Sequence, residues 1–142
     1  MKIEDVIRNK GTAVVTIEPG ATVAELVDLL VRNNIGAVVV SPDGAHIAGI
    51  VSERDIVRHL GTDGAAALGI TVREIMTADV RTCTLDDKLE DTAVSMTKHR
   101  IRHMPVVEDG QLRAIVSIGD VVKHRLEQLT DEHQHLLGYL HS

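Results

Sequence analysis

A ten-residue phrase occurs twice in this chain, and it constrains the fold more strongly than any other feature. The pattern Ile-Val-Ser-x-x-Asp-x-Val-x-His occupies residues 50–59 and returns at residues 115–124. Such self-similarity indicates that one supersecondary unit has been duplicated. The phrase also places a hydroxyl and a carboxylate at matching positions in both halves, and we expect function there: Ser52 with Asp55, and Ser117 with Asp120.

Length and composition narrow the class of protein. A chain of 142 residues suits one compact module, whereas each half alone is near the lower limit for independent folding, so the halves are predicted to share a core. The 44% hydrophobic and 25% charged residues are typical of a globular protein. The net charge of −6 and the lack of Phe and Trp argue against DNA or RNA as a partner, because phosphate attraction and base stacking are both missing.

Other classes are disfavoured by single features. No apolar run approaches a membrane span, and the first residues do not open a signal peptide. The lone Cys83 can form neither an internal disulfide nor a four-thiolate zinc site. We therefore expect a soluble, cytoplasmic protein with no membrane partner.

Each half is predicted to contain a strand, a helix, a strand, a turn, a strand and a helix, after a short amphipathic turn. Asp-Gly pairs at 43–44 and 109–110 indicate hairpin turns between apolar runs. A final helix is predicted directly after Ser52 and Ser117. The predicted first half has an extended stretch over 13–17, a helix over 23–31 and strands over 37–40 and 47–51; their counterparts are 80–83, 89–96, 104–107 and 112–116.

The connection and the end of the chain follow different patterns. Glycines at 61, 64 and 69 are predicted to break the helix between the halves. Apolar residues recur at steps of four and three through the last helix, typical of a coiled-coil seam, with His133 at one core step: Val122, Leu126, Leu129, Leu136 and Leu140. His133 there is either a pH-sensitive association residue or, more commonly, a partly exposed packing residue. The predicted organisation is repeat one over 1–61, a linker over 62–70, repeat two over 71–125 and a helical extension over 126–142.

These motifs together resemble a tandem pair of cystathionine-β-synthase (CBS) domains, a Bateman module. The resemblance covers roughly residues 1 to 125 and includes the segments 74–77 (Glu-Ile-Met-Thr) and 102–107 (Arg-His-Met-Pro-Val-Val). It implies an α+β fold of two βαββα repeats packed sheet to sheet with pseudo-twofold symmetry, here with an extended C-terminal helix. It also implies a homodimer, and clefts that bind adenosine-containing ligands such as AMP, ADP, ATP, NAD or S-adenosylmethionine.

The repeated Ser-x-x-Asp has two interpretations that are not exclusive. A serine at a helix start with an acid three residues later is close to a capping box, which is purely structural. The same helix start can accept a phosphate, while the carboxylate accepts hydrogen bonds from both hydroxyls of a ribose. Because two copies lie in register and the resemblance is present, we favour ligand binding for at least one pair.

The resemblance extends the candidate site beyond the two pairs. Arginine suits phosphate because it binds two oxygens at once, and a glycine lets a ligand approach the main chain. With no large aromatic residue, adenine is expected between aliphatic faces such as Val38, Ile50, Met104 and Ile115. The candidate binding residues are Thr16, Ala37, Val38, Ser52, Arg54, Asp55, Thr82, Arg102, His103, Met104, Pro105, Ser117, Gly119 and Asp120.

The two pairs are predicted to be unequal. Glu53 follows the first serine and opposes an anionic ligand unless it points away, whereas Gly119 lies at the second pair and opens space. The sequence therefore slightly favours the second pair for a phosphorylated ligand.

Catalysis and metal binding are weaker alternatives. Cys83 with His99 or His103 offers a nucleophile and a base, but no orienting group or oxyanion stabiliser is evident, so no enzyme and no catalytic cofactor are expected. The histidines at 133, 135 and 141 are more typical of a solvated helix face than of a metal site.

The sequence favours a nucleotide-binding regulatory module that signals to an unknown regulated protein by conformational or oligomeric change. The alternative is a ligand-free scaffold acting through its C-terminal helix.

Overall fold

The computed structural model describes residues 1–10 and 14–141 and folds into two three-stranded sheets flanked by helices. The first half contains α1 (Ile3–Lys10), β1 (Thr16–Ile17), α2 (Val23–Asn33), β2 (Ala37–Val40), β3 (Gly49–Ser52) and α3 (Glu53–Asp63). A 3₁₀ helix, Gly64–Gly69, connects it to the second half. That half contains α4 (Val72–Ile75), β4 (Cys83–Thr84), α5 (Leu89–His99), β5 (His103–Glu108), β6 (Gln111–Ser117) and α6 (Ile118–His141).

Both sheets have the same topology. In each, a short first strand runs parallel to the central strand, which pairs antiparallel with the third: β1-β2-β3 and β4-β5-β6. Ala37 pairs with Ser52 in the first sheet, and His103 pairs with Ser117 in the second. Ala37 therefore corresponds to His103, one residue earlier than the sequence alignment placed its counterpart, Met104.

Residues at its two termini fix where helix α2 begins and ends. Thr22 and Glu25 form a complete capping box, because the Glu25 N–H donates to Thr22 Oγ1 at 3.2 Å and the Thr22 N–H donates to Glu25 Oε2 at 3.1 Å. Asn34 ends α2 in the left-handed conformation, which asparagine tolerates well. These signals place the start of β2 and with it one wall of the site.

The short helix at the start of each half packs on the core of the other half. The α1 residues Ile3, Val6 and Ile7 are buried in the second core. Main-chain hydrogen bonds fix this exchange symmetrically: the Ile3 N–H donates to the Asp87 carbonyl, and the Val72 N–H donates to the Ala21 carbonyl. Helix α1 thus belongs to repeat one in the sequence but packs on the core of repeat two through Ile3, Val6 and Ile7.

Helix α4 makes the reciprocal contribution, because Val72 and Ile75 are buried in the first core. Together the two exchanges relate the halves as a pseudo-twofold pair, as expected. Neither half retains a complete core without the other, which agrees with the shared core predicted from length.

The central strand of the first sheet is buried on both faces. Val38 and Val40 pack in the first core with α2 and α3. Ala37 and Val39 point to the opposite face, yet they too are buried. Pro105 is buried at the matching position of β5. We attribute the burial of this opposite face of the strand to the packing of the two sheets against each other. The predicted α+β arrangement with a C-terminal helix is confirmed.

Several predicted boundaries are wrong. Helix α3 continues through Gly61, contrary to expectation, but it ends at Asp63, where Gly64 caps it with a positive φ of 64°, so one of the three predicted glycines does break the α-helix before the 3₁₀ helix begins. Strand β3 begins at Gly49 rather than at residue 47, and β4 is confined to Cys83–Thr84. Residue 13 of the first extended stretch lies outside the described residues.

The hairpin turns agree with expectation to different degrees. Asp109 and Gly110 both have positive φ, 52° and 76°, as a tight two-residue hairpin requires. In the first half, Gly44 has a positive φ, but a longer loop separates β2 from β3. There Ser41 and Asp43 organise the loop by accepting main-chain hydrogen bonds, including one from Gly44 to Ser41 Oγ at 2.8 Å.

Helix α6 is the longest element, with 24 residues. Only Val121 and His124 are buried, so the helix leaves the body of the protein after its second turn. Its seam residues are 46–69% exposed: Val122, Leu126, Leu129, Leu136 and Leu140. The predicted apolar stripe therefore exists, and the rest of the described chain does not cover it.

Candidate functional site

The first Ser-x-x-Asp pair caps α3. The Asp55 carboxylate accepts hydrogen bonds through Oδ2 from the Ser52 N–H at 2.8 Å and from Ser52 Oγ at 3.1 Å. Asp55 Oδ1 has no hydrogen-bond partner among the described residues. The capping interpretation is confirmed here, and one oxygen of the carboxylate stays available to a ligand.

The second pair makes the same cap but has an additional partner. The Ser117 N–H donates to Asp120 Oδ2 at 2.9 Å, and the Asp120 N–H donates to Ser117 Oγ at 3.1 Å. Lys10 Nζ lies 2.6 Å from the same Oδ2 atom. Burial raises the pKa of Asp120, but the Lys10 ammonium and the Ser117 hydrogen bonds outweigh it and hold the pKa below its ordinary value.

A cavity of about 420 Å³ lies beside the first pair and is open to solvent. One wall comes from the first half, through the start of β2, the end of β3 and the first turns of α3. The other wall comes from the segment after α4 and from the end of α5 and start of β5. The lining residues are Gly36, Ala37, Ile50, Val51, Ser52, Glu53, Arg54, Asp55, Arg58, Thr77, Asp79, Val80, Arg81, His99, Arg100, Ile101, Arg102 and His103.

The side chains that line this cavity carry more positive than negative charge, whereas the whole chain is negatively charged. Five arginines line it against three carboxylates, although the chain carries a net charge of −6. None of the five forms an ion pair with a carboxylate among the residues that the structure describes: Arg54, Arg58, Arg81, Arg100 and Arg102. Unpaired guanidinium groups converging on one hollow favour an anion with several oxygens.

Glu53 does not point away from the cavity. Its main-chain N–H donates to the Gly36 carbonyl at 2.9 Å, and its carboxylate lies over Gly36, where a Cβ would be 3.3 Å from Oε1. Glu53 therefore reduces the positive charge near the helix start, as the sequence suggested. The arginines nevertheless outnumber it within the same cavity.

The segment over 77–81 reaches the cavity because Gly49 allows a close main-chain approach. A Cβ at Gly49 would lie 2.6 Å from Met76 Sδ and 2.7 Å from the Thr77 carbonyl oxygen. The second half has Ala114 at the matching sequence position. A glycine in one copy where the other has alanine is a sequence signal for a close approach at Gly49, but only the structure shows that Met76 and Thr77 fill the space.

The structure brings six of the fourteen candidate residues together in the cavity: Ala37, Ser52, Arg54, Asp55, Arg102 and His103. Val38 and Met104 are instead 1% and 2% exposed, pack in the two cores and do not line this cavity. Pro105 is also buried. The remaining candidates lie outside the lining of this cavity: Thr16, Thr82, Ser117, Gly119 and Asp120.

Twelve of the lining residues are not among the fourteen candidate binding residues, and four of these twelve are described here because of where they lie. Thr77, Asp79 and Arg81 lie in the segment after α4, which carries no motif of the repeated phrase. Ile101 precedes the strand that the sequence had marked, and it offers the aliphatic surface that Met104 does not. Of the four expected aliphatic faces, Ile50 is the one that lines the cavity.

His103 is half-buried at the inner wall of the cavity. Burial lowers its pKa from the ordinary value of 6.5, and the positive charge of Lys10 lowers it further. Asp120 and Glu53 act in the opposite direction without restoring it. The imidazole is therefore biased toward its neutral form. Charged groups of both halves, Lys10 and Glu53 of the first and Asp120 of the second, affect its pKa.

Cys83 is not arranged for nucleophilic chemistry. The thiol is 4% exposed and donates toward the Pro105 carbonyl at 3.8 Å. Burial and the nearby Asp87 raise its pKa to about 12, so the thiolate is disfavoured.

Among the described residues no cluster of three or more His, Cys, Asp or Glu side chains could hold a metal ion. No helix in the described part of the chain is both long and apolar enough to cross a bilayer.

Comparison with known proteins gives consistent results. The model of the family described as the CBS domain matches the chain twice, over residues 3–62 and 72–127. The CBS domain-containing protein CBSX3, mitochondrial, of Arabidopsis thaliana is 34% identical over 146 residues, which cover 97% of this chain and 71% of that protein.

Solved structures show the same likeness. The crystal structure of a CBS-domain containing protein from Agrobacterium tumefaciens, ATU1752, superimposes with a TM-score of 0.85 at 39% identity, covering 88% of this chain and 99% of that one. The CBS domain pair of the protein MJ0100, in complex with 5′-methylthioadenosine and S-adenosyl-L-methionine, gives a TM-score of 0.80 over 90% of this chain and 98% of that one. Its 23% identity shows a shared fold alone.

Proposed function

The chain belongs to the CBS-domain family, and from this premise we propose that it is a regulatory module that binds a phosphorylated adenosine ligand in the cavity between its repeats. The observation that carries the proposal is the convergence of five unpaired arginines on a cavity that also contains a partly free carboxylate, Asp55. AMP, ADP, ATP and NAD all combine the two groups that such a site would recognise. The structure of MJ0100 supports the adenosine class, since that family member is in complex with two adenosine-containing molecules.

Each part of the ligand has a matching surface. Asp55 Oδ1 would accept hydrogen bonds from the ribose hydroxyls, as a carboxylate does in dinucleotide-binding folds. The guanidinium groups would bind the phosphate oxygens, and Ile50 with Ile101 would hold adenine between aliphatic surfaces. A volume of about 420 Å³ lies within the range of small-ligand pockets. We therefore propose the first pair as the binding site, whereas the sequence slightly favoured the second.

The site is suited to signalling because it spans both halves. A ligand can shift only those states that it binds unequally, so its contacts must involve parts that move relative to each other. Here the ribose would be held by the first half and the phosphate partly by Arg81 and Arg102 of the second. Occupancy would draw the repeats together without any chemical reaction.

We infer that the signal is passed through α6 to a second copy of the chain or to an unidentified regulated protein. The apolar seam of α6 is exposed over its whole length beyond the body. A stripe with heptad spacing is typical of helix pairing, so homodimerisation is the simplest arrangement. Cytoplasmic localisation stays an expectation from the sequence.

A ligand-free scaffold is the second candidate, and the same exposed seam favours it. In that case α6 would carry the whole function and the cavity would be a remnant of the fold. Mass spectrometry under native conditions separates the two, because a nucleotide sensor retains or accepts an adenylate whereas a scaffold accepts none.

Calorimetric titration with AMP, ATP and adenosine tests the main proposal most directly. Asp55→Asn should lower AMP affinity by about 10- to 100-fold, because a charge-assisted hydrogen bond contributes about 1.5–3 kcal/mol. Asp120→Asn is the matched control, since it removes the same kind of helix cap and should leave AMP binding at the first pair intact. Unchanged AMP affinity in a folded Asp55→Asn protein would refute the assignment.

A further inference from the structure

Lys10 joins the end of α1 to the second Ser-x-x-Asp pair. Its ammonium donates to Asp120 Oδ2 at 2.6 Å and to the Ile115 carbonyl at 2.9 Å. Helix α1 is itself fixed, because Ile3 and Val6 are fully buried in the second core. The lysine therefore approaches the pair from a rigid helix, and both of its partners belong to the second copy of the repeated phrase.

The first pair has no such cation. Asp55 makes only its two contacts with Ser52 among the described residues. The short helix that corresponds to α1 is α4, and its hydrogen bonds align Ile3 with Val72. Counted from that alignment, the position of Lys10 corresponds to Asp79, which lines the first cavity. The two pairs therefore differ in the sign of the charge supplied by the preceding segment.

We propose that Lys10 neutralises the carboxylate of the second pair and weakens it as an acceptor for a ribose, so that each chain binds one equivalent of nucleotide, at the first pair. This inference rests on the function proposed above. Asp120 Oδ1 has no hydrogen-bond partner among the described residues, but its carboxylate already makes a short charge-assisted hydrogen bond with an ammonium, about twice as strong as a neutral one, and so attracts ribose hydroxyls less than the Asp55 carboxylate does. Neutral hydroxyl donors cannot supply the same electrostatic stabilisation to Asp120.

The position of the contact supports this role. The side chains of Lys10 and Asp120 are 38% and 25% exposed, so the pair is partly withdrawn from water and less screened than a surface ion pair. Burial of Asp120 disfavours its ionised form, and the hydrogen bonds from Lys10 and Ser117 more than compensate. Removing Lys10 would leave this carboxylate without its cation and make it a stronger acceptor for other donors.

The charges of Lys10 and Asp120 also affect His103, which lines the first cavity. The pKa of that imidazole is lowered mainly by burial and next by Lys10, while Asp120, Glu53 and Arg102 also contribute, the carboxylates raising it and the guanidinium lowering it. Lys10 thus acts on both pairs, by neutralising the carboxylate of one and by placing positive charge near the cavity of the other.

Binding stoichiometry tests the proposal. Titration of the full chain with AMP should give one equivalent in the wild type and two in Lys10→Met, which keeps the aliphatic stem and removes the charge. Lys2→Met is the matched control, because Lys2 lies at the start of the same helix and its Nζ is 3.8 Å from the exposed Asp86. It should still bind one equivalent. Adding Asp55→Asn to Lys10→Met should weaken one of the two binding events and leave the other.

The outcomes are distinguishable. Two equivalents in the wild type, or one in a folded Lys10→Met protein, would overturn the role of Lys10 and leave the proposed function standing. No AMP binding by any of the proteins would overturn the proposed function and this inference with it. Titration of the Asp120 carboxyl by NMR checks the contact without ligand, since Lys10→Met should raise its pKa; an unchanged pKa would also refute the inference.

Discussion

The main chains of Ile50 and Thr77 exchange two hydrogen bonds, each 2.9 Å long, and so attach the segment that follows α4 to the edge of strand β3. This attachment brings residues 77–81 to the wall of the candidate site. It is possible because Gly49 leaves room for Met76 and Thr77 against the strand. The segment that closes the cavity is therefore positioned by a missing side chain.

Gly49→Ala should destabilise the protein by about 1–3 kcal/mol, because the added methyl would overlap the Met76 sulfur and the Thr77 carbonyl. It should also weaken AMP binding by displacing Arg81. Gly61→Ala is the control: it lies inside α3 with no atom within 4 Å of the new Cβ, so it should stabilise by up to about 1 kcal/mol. Urea unfolding measures both, and equal effects of the two substitutions would contradict this account.

The sequence was sufficient to predict the repeat, the strand order and the carboxylate of the site. These features depend on local signals, namely the Ser-x-x-Asp phrase, the Asp109-Gly110 turn and the apolar periodicity of α2 and α6. Strand alternation also indicates that the side chains of Val38 and Met104 face the helical cores rather than the cavity. They were assigned from the family's pattern rather than from the face on which they lie.

Other features were beyond prediction because they depend on which surfaces meet. An amphipathic turn at Ile3–Lys10 shows that one face is buried but not which core buries it, so the exchange of α1 and α4 was not foreseen. The Lys10–Asp120 contact spans 110 positions in the sequence and follows from that exchange. Likewise the five arginines are scattered over two halves and converge only in the folded chain.

Arg102→Ala should lower AMP affinity by about tenfold or more while changing adenosine affinity by less than twofold, because the guanidinium interacts with phosphate and adenosine has none. The wild-type affinity for AMP should also fall as salt is raised, since part of the attraction is screened. Arg113→Ala is the control, because Arg113 is paired with Glu108 at 3.3 Å and does not line the cavity. Parallel losses for AMP and adenosine in Arg102→Ala would show that Arg102 does not bind the phosphate.

His103 should take up protons when AMP binds near pH 6. Its pKa is lowered in the free protein, chiefly by burial and then by Lys10, so the ring is largely neutral there. A phosphate anion beside it favours the imidazolium and raises the pKa. Proton uptake therefore appears at pH values between the lowered pKa of the free protein and the raised pKa of the complex, and it vanishes above the latter.

Calorimetry in two buffers of different ionisation enthalpy measures this uptake. His103→Gln is the control that removes the titrating ring and also corrects for protons bound by AMP itself. The same uptake in wild type and His103→Gln would place His103 away from the phosphate.

The seam of α6 leads to the last prediction, which concerns association. Leu129 and Leu136 are 46% and 59% exposed, and each would contribute about 1.5–3 kcal/mol if fully buried against a second copy. Replacing both with glutamate should convert a dimer into a monomer in sedimentation experiments, since two charges would then be buried in the seam. Val31→Glu is the control, because Val31 is 74% exposed on α2 and lies outside the seam, and it should leave the dimer intact. A wild-type chain that sediments as a monomer would remove the proposed dimer and leave α6 as a surface for another protein.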